Sequence, residues 1–123
     1  MIQVNATSNE NTIQLEVEGH ADYNPGNDIV CSAISALAMC FVGGVRATGQ
    51  LISYRADSGD FFAEAEAMPK SHLIFNTILI GMLQVAKTYP ENVKINIIPN
   101  PVKKDIKECA KMDLNTNTTA DRA

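Results

Sequence analysis

The sequence predicts an α+β domain built on a mainly antiparallel sheet with two principal helices, in the element order β-β-α-β-β-α-β. Three observations carry this expectation. Apolar residues alternate with polar ones at a period of two in several short runs, as where Ile13, Leu15 and Val17 alternate with Gln14, Glu16 and Glu18. Polar or glycine-containing turns of hairpin length join two pairs of such runs, whereas an all-parallel sheet needs a crossover between strands. Two longer runs, after Asp28 and after Pro69, are apolar around more than one helical face.

The first pair of strands is expected over 1–6 and 12–18, joined through Ser8-Asn9-Glu10-Asn11 as an antiparallel hairpin. Gly19 ends the second strand, and a loop containing Pro25 and Gly26 leads to Asp28. The Asp28 carboxylate suits the N-cap of a helix that begins at Ile29 and is expected to stop at Gly43-Gly44. Val30, Ile34, Leu37 and Phe41 form its stripe, while Ala33, Ala36 and Ala38 keep the rest small and apolar, so more than one side is buried. A second hairpin is expected over 47–55 and 60–67, turning at Ala56-Asp57-Ser58-Gly59. The second helix runs from Ser71 to Thr88 and ends at Tyr89-Pro90, because proline can neither donate to the helix nor tolerate a helical neighbour before it. Val93, Ile95 and Ile97 alternate as a last strand. Both helices are more apolar than one sheet face can cover, which points to a helix-mediated homodimer.

A chain of 123 residues fits one folded domain, expected over 1–100, followed by a tail over 101–123. The tail is expected to hold a short helix around Ile106, Ala110 and Leu114, and its polar end from Asn115 is expected to be disordered. The net charge of −4 argues against nucleic-acid binding through a basic patch. No uninterrupted apolar run has the length of a membrane span, and Met1-Ile2-Gln3-Val4 opens as a strand rather than a signal peptide. A cytoplasmic protein is therefore expected. The three cysteines include no Cys-x-x-Cys pair, so neither a metal, a dithiol motif nor any cofactor is expected.

The chemistry centres on His20 and Cys31. His20 leaves the end of a strand, and Cys31 falls in the first turn of the following helix. Backbone N–H groups in a first turn lack intrahelical acceptors, and the helix dipole is positive there, so a thiolate is favoured over a thiol. The same amides are expected to bind the oxyanion of a tetrahedral intermediate. Asp28 either caps the helix or orients His20; both remain open at this level. Cys40, nine residues on, points to the opposite face and is expected to pack, Cys109 lies in the polar tail, and His72 is expected to be a solvated residue. The loop carrying Tyr23, Pro25 and Gly26 is expected to move when substrate binds, with Tyr23 a candidate contact.

Taken together, Gly19-His20-Ala21 and Gly26-Asn27-Asp28-Ile29-Val30-Cys31-Ser32-Ala33, with Ser35 also in place, resemble the ribosomal-processing cysteine protease family. The resemblance runs in outline from Met1 to Pro99. It implies a small cytoplasmic, homodimeric endopeptidase with Cys31 as nucleophile, His20 as general base and Asp28 in support. The substrate it implies is the N-terminal extension of large-subunit ribosomal protein twenty-seven, cut after paired aromatic residues, or else a phage capsid or scaffold protein. Two departures are Ser32, where alanine is more usual, and a short loop over 22–27. The competing readings are a non-catalytic ribosome-associated binding module, which has no need of His20 and Cys31 together, and thiol redox sensing by Cys31, which lacks a resolving partner.

Overall fold

A computed structural model of the chain describes residues 1–98. The strands are β1 (Ile2–Ser8), β2 (Thr12–Glu18), β3 (Leu51–Asp57), β4 (Asp60–Glu66) and β5 (Val93–Ile97), and the helices are α1 (Ile29–Ala47) and α2 (Pro69–Thr88). They follow the expected order. They build one five-stranded sheet, ordered β3-β4-β2-β1-β5, in which only the outer β1–β5 pair is parallel.

Period-two patterning sets the register. In the β1–β2 hairpin Val4 opposes Val17 and Ala6 opposes Leu15, and Leu15 in turn opposes Ala63 of β4, so the inward residues of three strands line up on one face. Both helices cover that face. The core holds Val30, Ile34, Phe41 and Val45 of α1 and Phe75, Leu79 and Met82 of α2. Phe41 and Phe75 meet across the helix pair with ring centroids 5.7 Å apart. The opposite face carries a polar ladder, in which Asn5 donates to Glu16 at 3.1 Å, Gln14 to Glu64 at 2.9 Å and Asn96 to Asn5 at 3.0 Å.

α1 does not stop at Gly43-Gly44. It continues to Ala47 because Gly44 lies against α2: a Cβ there would sit 3.0 Å from Ile74 Cγ2, so the missing side chain serves close helix packing rather than a turn. The stop lies at Thr48-Gly49. Gly49 takes φ +81°, its N–H donates to the Arg46 carbonyl at 3.1 Å, and the Gln50 N–H donates to Val45 at 2.8 Å. These two bonds form a Schellman cap. β3 consequently begins at Leu51 rather than 47 and runs to Asp57, leaving a two-residue turn, Ser58-Gly59. β1 extends to Ser8, and α2 begins with Pro69 in its first turn, where a missing N–H costs nothing. The expected helix around Ile106 and the polar end from Asn115 lie outside the described residues.

By length and composition alone α1 is long and apolar enough to cross a membrane, although Ser32, Ser35 and Arg46 interrupt its apolar run. Its stripe of Val30, Ile34, Ala38, Phe41, Val42 and Val45 is instead buried in the domain, as the core helix of a folded domain requires.

Candidate active site

At the end of β2, Gly19 turns the chain off the sheet with φ +90°. Its N–H donates to the Gly59 carbonyl at 3.0 Å, tying the strand exit to the β3–β4 turn. The next residue, His20, therefore lies with its ring against Gly59, where an added Cβ would be 2.8 Å from His20 Nε2. After Ala21 the loop runs to Asp28 and returns the chain as α1, which brings half-buried Cys31 back beside the strand exit. The Ala21 N–H donates to Cys31 Sγ at 3.2 Å.

His20 and Cys31 line two adjoining clefts in common. The first, about 230 Å³, is bounded beyond them by Ser35 of α1 and Asp57, Ser58 and Gly59 of the β3–β4 turn. The second, about 470 Å³, is bounded by Asp22, Pro25, Gly26, Asp28 and Ser32. Open clefts on both sides of a thiol leave room for a chain to pass over it.

Asp28 caps α1 and staples the loop. One carboxylate oxygen, Oδ1, accepts from the N–H groups of Val30 and Cys31, each at 3.0 Å. The other, Oδ2, accepts from Tyr23 at 2.9 Å and Asn24 at 3.2 Å. Desolvation pushes the Asp28 carboxyl upward, but the N–H groups of Cys31, Asn24, Tyr23 and Val30 together outweigh it and hold the group below its ordinary value. Among the described residues its bonds go to backbone donors and none to His20. This corrects the expectation that first-turn amides are open to an oxyanion: those of Val30 and Cys31 are committed to Asp28, and that of Ser32 to the Asp28 carbonyl at 3.1 Å.

A carboxyl lowered on folding contributes stability that is fully present above its unfolded value, near 3.8, and lost as pH falls through the lower folded value. Asp28→Ala is therefore expected to lower Tm by a few degrees at pH 7 and to flatten the loss of Tm on acidification below about pH 4. Thermal melts of both proteins between pH 2 and 7, by circular dichroism, check this; parallel curves for the two would refute it.

The loop residues divide. Tyr23 is half exposed yet rests edge-on against Tyr89, ring centroids 5.2 Å apart, and lines neither cleft, whereas Pro25 and Gly26 line the larger one. Gly26 has φ +90° with open space about it, so backbone conformation alone calls for glycine there. His72 lines neither cleft; it is half-buried at the start of α2, with its Nδ1 buried and without a partner among the described residues, rather than fully solvated as expected. Cys40 is exposed on the outer side of α1 rather than packed, and Cys109 lies outside the described residues. Among the described residues no group of three His, Cys, Asp or Glu side chains is placed to hold a metal ion. Two contributors were not foreseen: the β3–β4 turn under His20, and Asn92, whose side-chain amide donates to the Ala21 carbonyl at 2.9 Å. A polar residue in the short turn after α2 was the signal available for the second.

The family model for cysteine protease Prp matches residues 1–94. The fold is similar to that of the essential ribosomal processing protease Prp from S. aureus in complex with a covalently linked product peptide. That match has TM-score 0.69 and 27% identity, covering 80% of this chain and 100% of the other. It is also similar to SMU.848 from Streptococcus mutans, with TM-score 0.65 and 27% identity over 81% of this chain and 99% of the other. The S. aureus protease with a substrate peptide shares the fold at TM-score 0.62 and 24% identity, covering 80% of this chain and 100% of that one. No curated protein matches.

Proposed function

Since the chain belongs to the cysteine protease Prp family, we propose that it is an endopeptidase working through Cys31 and His20 on the N-terminal extension of large-subunit ribosomal protein twenty-seven. The observation that carries the reading is that a thiol at a helix N-terminus and a histidine on a strand exit line the same pair of clefts. His20 takes the Cys31 thiol proton, and the resulting thiolate attacks the scissile carbonyl carbon, forming an S–C bond and a tetrahedral oxyanion. Collapse breaks the C–N bond, His20 gives its proton to the leaving amine, and a thioester remains. His20 then takes a proton from water as that water attacks the thioester, releasing the carboxylate product and the thiol. Asp28 supports the reaction indirectly, by fixing the helix start that carries Cys31 and the loop that faces the cleft.

The likeness to a ribosomal processing protease that holds a peptide product supports a protein substrate of this kind. Cleavage after paired aromatic residues, a cytoplasmic setting and a second copy of the chain belong to the same proposal. For the second copy, the support is exposed apolar side chains: Met39 on α1 is 44% exposed and Ile52 on the edge strand β3 is 49% exposed. No direct nucleic-acid or membrane partner is invoked.

The test is mass spectrometry of two peptides incubated with the reduced protein, one spanning an extended ribosomal-protein N-terminus and one spanning a phage capsid cleavage sequence. A single cut after the paired aromatics of the first is expected. Cleavage of the capsid peptide alone would move the substrate to a phage structural protein, and survival of both would favour a non-catalytic binding module.

A further inference from the structure

We infer that Asn92 is a positioning residue for this chemistry: by holding the Ala21 carbonyl it keeps the Ala21 N–H aimed at Cys31 Sγ and His20 in place over the cleft. The inference rests on the reading of Cys31 as nucleophile.

Asn92 is itself fixed at both backbone ends. Its N–H donates to the Tyr89 carbonyl at 3.0 Å and its carbonyl accepts from the Ile2 N–H at 2.8 Å, so the residue is anchored to the end of α2 and to β1 together. From that anchor its Nδ2 reaches across 71 positions of sequence to the Ala21 carbonyl at 2.9 Å. Ala21 is only 1% exposed, so water has little access to replace the bond. On its other side the Ala21 N–H points at Cys31 Sγ at 3.2 Å.

With the Val30 and Cys31 amides taken by Asp28, the Ala21 N–H is the backbone donor shown to reach the sulfur among the described residues. An N–H held against the sulfur fixes the position from which the sulfur attacks. The same bond frames His20. Gly19 is tied to Gly59 on one side of it and Ala21 to Asn92 on the other, so an exposed histidine sits on a segment pinned at both ends. Precise placement of a base is worth large factors in rate, which gives the clamp a function beyond stability.

Asn92→Asp keeps the shape but, once ionised, cannot donate; Asn92→Ala removes the group. For wild type and both variants, the rate of iodoacetamide modification of Cys31 is measured between pH 5 and 10, with peptide mass spectrometry separating Cys31 from Cys40 and Cys109, alongside thermal melts and peptide-cleavage kinetics. Both variants are expected to modify Cys31 about tenfold more slowly at pH 7, with Cys40 unaffected. kcat is expected to fall by ~10-fold or more, with KM little changed. If Asn92→Ala fails to fold, Asn92→Asp decides. A profile for Asn92→Asp that superimposes on wild type overturns the inference, whatever happens to Tm. A wild-type Cys31 that reacts no faster than Cys40 at pH 7 instead removes the nucleophile reading, and the inference with it.

Discussion

Cys31→Ala is expected to leave a folded protein with no measurable cleavage, and His20→Ala to lower kcat/KM by ~10³-fold or more. In the proposed reaction Cys31 supplies the atom that bonds to substrate, and the other described cysteine, Cys40, is exposed on the outer side of α1. His20 is exposed at the cleft and packs on Gly59 rather than in the core, so truncating it removes little buried surface. The two losses should not add, because nucleophile and base act on the same proton and a reaction lacking one gains little from the other. Product formation from the extended ribosomal-protein peptide, followed by mass spectrometry beside thermal melts, measures both. Substantial cleavage by folded Cys31→Ala would assign the chemistry to another group.

Two glycines near His20 are expected to fail in opposite ways. Gly19→Ala should destabilise the fold by about 3 kcal/mol or more, since it forces a side chain onto a left-handed backbone and into fixed structure. Gly19 has φ +90°, and a Cβ there would lie 2.5 Å from the backbone oxygen of Met1, which cannot swing aside without moving β1. Gly59→Ala also meets a positive φ, +72°, but its Cβ would strike His20 Nε2 at 2.8 Å, the far end of a side chain free to rotate away. Its stability cost should be about 1 kcal/mol, while the displaced ring should cost ~10²-fold in kcat. Urea titration and cleavage kinetics on both variants separate the effects. Equal losses of stability would mean that the Gly19 contact is relieved by backbone movement.

How much was legible in the sequence follows from how local each signal is. The strand β2 and its exit at Gly19 were readable because the alternation of Ile13, Leu15 and Val17 is a property of neighbouring residues. The start of α1 was readable for the same reason, because an N-cap acts within its own turn: Asp28 lies three residues before the Cys31 amide it accepts from. Gly43-Gly44 misled, since a glycine that ends a helix and one that admits a neighbouring helix look alike until Ile74 is placed against it. Asn92 was marked only as a polar residue in a short turn, because nothing within that turn points to Ala21, 71 positions away.

By itself the sequence determined the kind and order of the elements, the inward face of each strand, and the placing of a histidine at a strand exit and a cysteine in the first turn of the next helix. Each of these rests on periodicity, capping or turn chemistry, which act over a few residues. Only the tertiary structure decided that β5 runs parallel beside β1, that the β3–β4 turn lies under His20, and that Asn92 grips the loop between His20 and Cys31. It also decided that Asp28 consumes the amides that sequence reasoning had left to an oxyanion. These outcomes depend on which buried surfaces meet and which polar groups find partners once packed, and such choices are made between segments far apart in the chain.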